Sequence, residues 1–138
     1  MATLKTLDLS KQDTTKQKFI SVPVPGLGHG EDAEITVSKM SVEGYIRYSN
    51  LSQKVREQEN ISDTRRTGLF MLAGLISVMV DPDTCDFLIP VDEKDDFKQL
   101  DAFHNMVDKD SLEALLVAHG ELNPPKEFKT PDTKKKKS

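Results

Sequence analysis

The longest apolar run is Leu69-Phe-Met-Leu-Ala-Gly-Leu-Ile-Ser-Val-Met-Val80. It follows Arg65-Arg66 and stops at Asp81-Pro82. A bilayer needs about 20 apolar residues, so this run is too short to span one, and a buried core helix is the expected use. The helix should begin near Asp63 and reach Val80, where Pro82 ends it. Being apolar nearly all round in its second half, it should be the central element that the others cover. Gly74 in its middle should let a neighbouring backbone come close.

The rest of the chain supplies the covering elements. Phe19-Ile-Ser-Val22 and Ala33-Glu-Ile-Thr-Val37 alternate and are β-branched, as strands should be. Between them lies the turn-rich Pro25-Gly-Leu-Gly-His-Gly30. Pro23 and Pro25 cannot donate to a ladder, so the first strand should be an edge strand or end early. From Ser41 the period changes. Ser41 is a helix N-cap with Glu43 in the first turn, and Tyr45, Tyr48, Leu51 and Val55 form one apolar face through about Glu59. Gly44 should weaken that helix by about 1 kcal/mol. Asn60-Ile-Ser-Asp63 breaks it and caps the next. Cys85 to Pro90 reads as a brief strand. Phe97, Leu100, Phe103 and Met106 recur at helical spacing. A last helix starts at Asp108 or Asp110, carries Leu112, Leu115, Leu116, His119 and Leu122, and ends at Asn123-Pro-Pro125. The predicted fold class is α+β: an N-terminal β-hairpin followed by a bundle of about four α-helices. Residues 1–17 are expected to be a flexible arm, 18–125 a single domain, and 126–138 a disordered basic C-terminal tail.

Charge narrows the partners. Residues 126–138 carry six lysines against two carboxylates, a net +4 that leaves −8 for the remainder. An acidic body argues against nucleic acid as the main partner, because phosphate contacts dominate that binding. With one cysteine, Cys85, an internal disulfide is excluded and a reducing, cytoplasmic setting is expected. The N-terminus lacks the apolar core of a signal peptide.

No motif points to catalysis. The loop around His29 is G-x-G-x-G and is followed by a strand where phosphate binding needs a helix N-terminus. Asp81-Pro-Asp-Thr-Cys-Asp86 groups three carboxylates, but Cys85, Asp86 and Asp92 stand where a calcium loop wants an oxygen ligand, glycine and glutamate. His29, His104 and His119 lack zinc spacing, and Cys85 has no basic neighbour to activate it. An imidazolium at His119 would meet the favourable end of its helix dipole. Neither a metal nor a cofactor is expected, nor an enzymatic activity. The apolar stripes can be core or, given Met71 and Met79, an adaptable binding groove. On the second reading the partner-binding residues are Leu69, Phe70, Met71, Leu72, Met79, Phe97, Leu100 and Phe103.

The order of parts resembles the tail assembly chaperones of long-tailed, noncontractile bacteriophages, from about Leu4 to Asn123. The resemblance rests on Val22-Pro-Val-Pro-Gly-Leu-Gly28, Glu34-Ile-Thr-Val-Ser38, Met40-Ser-Val-Glu43 with Tyr48 following, and Val78-Met-Val-Asp-Pro-Asp83. It continues through Asp95-Asp-Phe-Lys-Gln-Leu100 and the leucine-rich stretch from Leu112 to Asn123. Leu27-Gly28 stands where many members carry Trp-Gly. The resemblance implies binding of the tape measure protein, which is long and largely helical, and of the tail tube protein. It also implies action in the host cell cytoplasm and absence from the finished virion; self-association is a further possibility, and a membrane partner is not implied. Such genes often carry a programmed −1 frameshift, and codons for Lys134, Lys135, Lys136 and Lys137 would supply a slippery run. The alternatives are a small nucleic-acid-associated regulator with a basic arm, and a minor structural tail protein.

Overall fold

In the computed structural model the described residues are 19–27 and 33–124. The arm at 1–17, His29 and the tail with Lys134 to Lys137 lie outside them. The fold is α+β, as expected. Strand β1 (Phe19–Pro23) pairs antiparallel with β2 (Glu34–Ser38), in register from Phe19 opposite Ser38 to Pro23 opposite Glu34. Pro23 closes β1, and β1 lies at the edge of the sheet. A single 3-10 turn, Pro25–Leu27, follows β1.

Helix α1 runs Val42–Glu57, with the Ser41 hydroxyl accepting from the Gly44 N–H at 3.0 Å. Asn60, at φ 63°, turns the chain, and the Ser62 hydroxyl caps α2 (Asp63–Ile76) by accepting from Arg65 N–H. Arg66 reaches back to the end of α1, donating to the carbonyls of Val55 (2.6 Å) and Gln58 (2.8 Å). A cation there meets the negative end of the helix dipole and satisfies carbonyls that the helix leaves unbonded.

The apolar run is not one helix to Val80. It bends at Ser77 and gives β3 (Met79–Val80), so the hairpin becomes a three-stranded antiparallel sheet of order β1-β2-β3. The reason is local and tertiary together. The Ser77 hydroxyl donates to the Ala73 carbonyl, which closes the helix end, and Val78 and Val80 are β-branched. The open edge of β2 then offers the backbone a second set of partners: Ser38 N–H donates to Val78 C=O at 2.8 Å, and on the other side Leu88 N–H donates to Met79 C=O at 2.9 Å. The Cys85–Pro90 segment contributes one isolated bridge, Phe87 to Val80, rather than a strand. Helix α3 (Asp96–Met106) is capped by Asp95, and α4 (Lys109–Leu122) by Asp108.

Helix α2 is central, touching α1, α3 and α4, while α4 also covers β1 and β2. Val37, Leu51, Val55, Leu69, Leu75, Ile76, Met79, Leu100 and Leu115 are fully enclosed. Each such side chain contributes about 1.5–3 kcal/mol relative to exposure. Gly44 is required for the α1–α2 contact, because a Cβ there would lie 2.6 Å from the Ser77 carbonyl oxygen. Gly74 accommodates side chains rather than a backbone. A Cβ at that position would sit 3.4 Å from His119 Nε2 and 3.8 Å from Tyr48 Cε1.

Candidate functional site

The buried face of α1 is Gly44, Arg47, Leu51, Ser52 and Val55, with Tyr48 half-buried. Tyr45, expected on that face, is one position out of phase and 62 % exposed. It joins Val42 (77 %) and Ile46 (53 %) in an outward apolar strip at three- and four-residue spacing. Large apolar side chains grouped this way on a surface are what interaction sites use.

Arg47 is the organising residue beside that strip. It is 4 % exposed, yet its guanidinium is fully engaged. Nε and Nη2 each donate to one carboxylate oxygen of Asp96 at 2.9 Å, a bidentate pair. Nη1 donates to the Ile89 carbonyl at 2.6 Å, and the group lies 4.8 Å above the Phe87 ring. Asp96 also accepts from Asp92 N–H, and Gln99 Nε2 donates to the Pro90 carbonyl. The segment between β3 and α3, which has little regular structure of its own, is thereby fixed against α1.

The result is a groove of about 600 Å³ between α1 and that segment. Ile46, Phe87 and Val91 supply its apolar surface. Glu43, Glu57, Asp92 and Glu93 rim it, with Lys54 the one rim cation not engaged by Asp96. A second cleft, of about 400 Å³, shares Glu43 and extends the surface to Val42 and Phe19. A separate apolar pocket of about 430 Å³ opens between Leu27, Leu88 and Met106.

Of the side chains expected to bind a partner, Leu69, Leu72 and Leu100 are enclosed core, and Met79 and Phe103 are buried in the wall of the apolar pocket beside Leu27, Leu88 and Met106. They sit where α1, α3 and the sheet close over α2. Phe70 and Phe97 are half-buried, packed against the core, and Phe70 lies under Arg56 at 5.9 Å. Met71 is exposed on the outside of α2, away from the groove-lining residues. The sequence-based choice followed hydrophobicity, whereas the accessible groove is lined by α1 and the acidic turn. The signal that could have found it was Val42 and Ile46, apolar residues at helical spacing left over once Leu51 and Val55 define the inner face.

Asp81 accepts from Asp83 and Thr84 N–H, so it closes its own loop, in which Cys85 has φ 64°. Among the described residues no group of three or more His, Cys, Asp or Glu side chains converges to hold a metal. Asp108 caps α4 through the Ser111 N–H; hydrogen bonds from Ser111, side chain then backbone, hold its carboxyl below the usual range. His119 faces the interior, and desolvation pushes its imidazole down from the ordinary value of 6.5. Its Nδ1 lies 3.1 Å from Asn123 Nδ2. Asn123 in turn accepts from Met40 N–H at 2.7 Å and donates to the Ser38 carbonyl at 3.2 Å, tying the end of α4 to the β2–α1 junction.

Among the described residues no helix is long and apolar enough to cross a membrane. No protein family, curated protein or solved structure matches the chain.

Proposed function

We propose that this protein is a non-catalytic tail assembly chaperone that binds the tape measure protein, keeps it soluble, helps recruit tail tube subunits and leaves before the virion is complete. The observation that carries this reading is the exposed strip Val42, Tyr45 and Ile46 opening onto the groove walled by Phe87 and Val91. Sixteen residues of α1 offer about 24 Å of length, enough for roughly four turns of a partner helix. Covering apolar area on a long helix is worth about 25 cal/mol per Å². The acidic rim favours a helix with basic flanks and repels nucleic acid phosphates, which supports a protein partner over DNA or RNA.

The test is co-expression with a tape measure fragment. The wild-type protein should co-purify with the fragment and keep it in the soluble fraction. Ile46→Asp with Val91→Asp should abolish rescue while circular dichroism and the melting midpoint stay near wild type, since both side chains are solvent-facing. A fragment that stays insoluble beside equimolar wild-type protein refutes the chaperone reading. Rescue that survives the double substitution removes the groove from it.

A further inference from the structure

We infer that the acidic groove of α1 is a docking site for this chain's own basic C-terminal segment, residues 125–138, which competes there with outside partners. Three observations converge on that occupant. The first is where the described chain leaves off. Asn123 is bonded to Met40 N–H and the Ser38 carbonyl, immediately before the Ser41 cap of α1, so the described chain ends close to the N-terminus of the helix that walls the groove. The second is charge. Among the described residues that line the groove, the carboxylates of Glu43, Glu57, Asp92 and Glu93 are accompanied by one cation outside the Arg47–Asp96 pair, Lys54, and Asp92 also accepts from the N–H groups of Lys94 and Asp95. Residues 126–138 carry Lys126, Lys129 and Lys134 to Lys137 against Glu127 and Asp132. The third is the apolar component. Phe128 is the one large apolar side chain beyond Pro125, and it stands between Lys126 and Lys129. Ile46, Phe87 and Val91 are the apolar surface it would meet.

The lengths fit. Phe128 lies five residues past Asn123, a reach of up to about 17 Å, which covers the first turns of α1. The four consecutive lysines lie eleven to fourteen residues past it, with a reach of roughly 36–46 Å, beyond the ~24 Å of the helix as far as Glu57. Tethering makes the encounter intramolecular, so weak contacts suffice, the effective concentration being on the order of mM for a short linker. A partner helix must then displace the segment, which sets a threshold on affinity and screens out weakly basic or purely apolar sequences. This regulation builds on the docking reading of the groove but is tested without any partner, so the two can fail separately.

The experiment compares amide spectra of the full-length wild-type chain with two full-length variants. One replaces Lys134, Lys135, Lys136 and Lys137 with Glu; the other is Phe128→Ala, which keeps every charge. Both should shift resonances of Ile46, Asn50, Phe87, Val91 and Asp92, leaving core amides such as Leu72 and Leu115 unmoved. Raising salt to ~1 M, where the screening length is about 3 Å, should move the wild-type groove signals toward those of the Lys→Glu variant. Zero-length carbodiimide coupling of the wild-type monomer should join tail lysines to Glu43, Asp92 or Glu93. Unaltered groove resonances in either variant overturn the proposal, as do cross-links spread evenly over the acidic body. Groove shifts that grow with protein concentration also overturn it, assigning the contact to another copy's tail.

Discussion

Replacing Arg47 by Met keeps most of the side-chain volume and removes the guanidinium. Two charge-assisted bonds to Asp96, one to the Ile89 carbonyl and the contact over Phe87 disappear together. Removing one partner of a buried ion pair costs about 3–5 kcal/mol, mostly because the other charge is stranded. The Asp96 side chain is 12 % exposed and keeps its bond from Asp92 N–H, so the lower end, about 3 kcal/mol, is expected here. At roughly 2 cal/mol/K per residue over about 100 ordered residues, that lowers the melting midpoint by about 10–15 °C. Asp96→Asn should cost less, and the double variant should cost less than the two singles added, with a coupling of at least ~1.5 kcal/mol. Denaturant titration of all four proteins at neutral pH supplies the cycle. If Arg47→Met costs under ~1 kcal/mol, or the two changes add within about 0.5 kcal/mol, Arg47 does not hold the wall of the groove as described.

Three further outcomes are expected. Gly44→Ala gains about 1 kcal/mol of helix propensity but forces a Cβ against the Ser77 carbonyl, so denaturant melts should show a net loss of about 1–2 kcal/mol. His119 is depressed by burial, so folded protein resists a proton that the unfolded chain accepts; stability should be full above about pH 6.5 and fall as pH drops below it through the folded value. His119→Gln should flatten that part of the pH–stability curve, and an unchanged slope would show that His119 is not its source. Asp108→Ala removes the α4 cap and should lower stability at pH 7, by a margin that narrows in acid as the carboxyl is protonated; melts at pH 7 and pH 2.5 check it, and an equal loss at both would show that the charge of Asp108 plays no part.

The elements that could be placed from sequence alone are those specified by neighbours. Ser41 and Ser62 each mark a helix start within a turn of their own hydrogen bonds, while for α4 the sequence left Asp108 and Asp110 open and the cap is Asp108. The hairpin follows from alternation on either side of a turn-rich loop. What escaped depends on distant partners. Met79–Val80 is apolar whether it ends a helix or begins a strand, and the choice is made by the edge of β2, some forty residues earlier. Arg47 looks like any solvated helix cation until Asp96, forty-nine positions away, is brought beneath it. Gly44 reads as a weak helix residue because Ser77 is not visible from position 44. The groove escaped for a related reason. Ranking by hydrophobicity selects Leu69 and Phe103, which the fold consumes, whereas a docking surface consists of the apolar residues left over.

The Asn123 clasp has a consequence for the order of folding. It joins positions 83 and 85 residues apart in sequence, whereas the α1–α2 contacts span a single short turn. Local pairs form early because little chain entropy opposes them, and distant ones wait for the intervening structure to bring them together. The helical hairpin and its neighbours should therefore assemble first, and α4 should swing onto the sheet as a late event. In a cell, where chains emerge from the ribosome N-terminus first, the surface of β2 that α4 covers remains open until the whole domain has been synthesised.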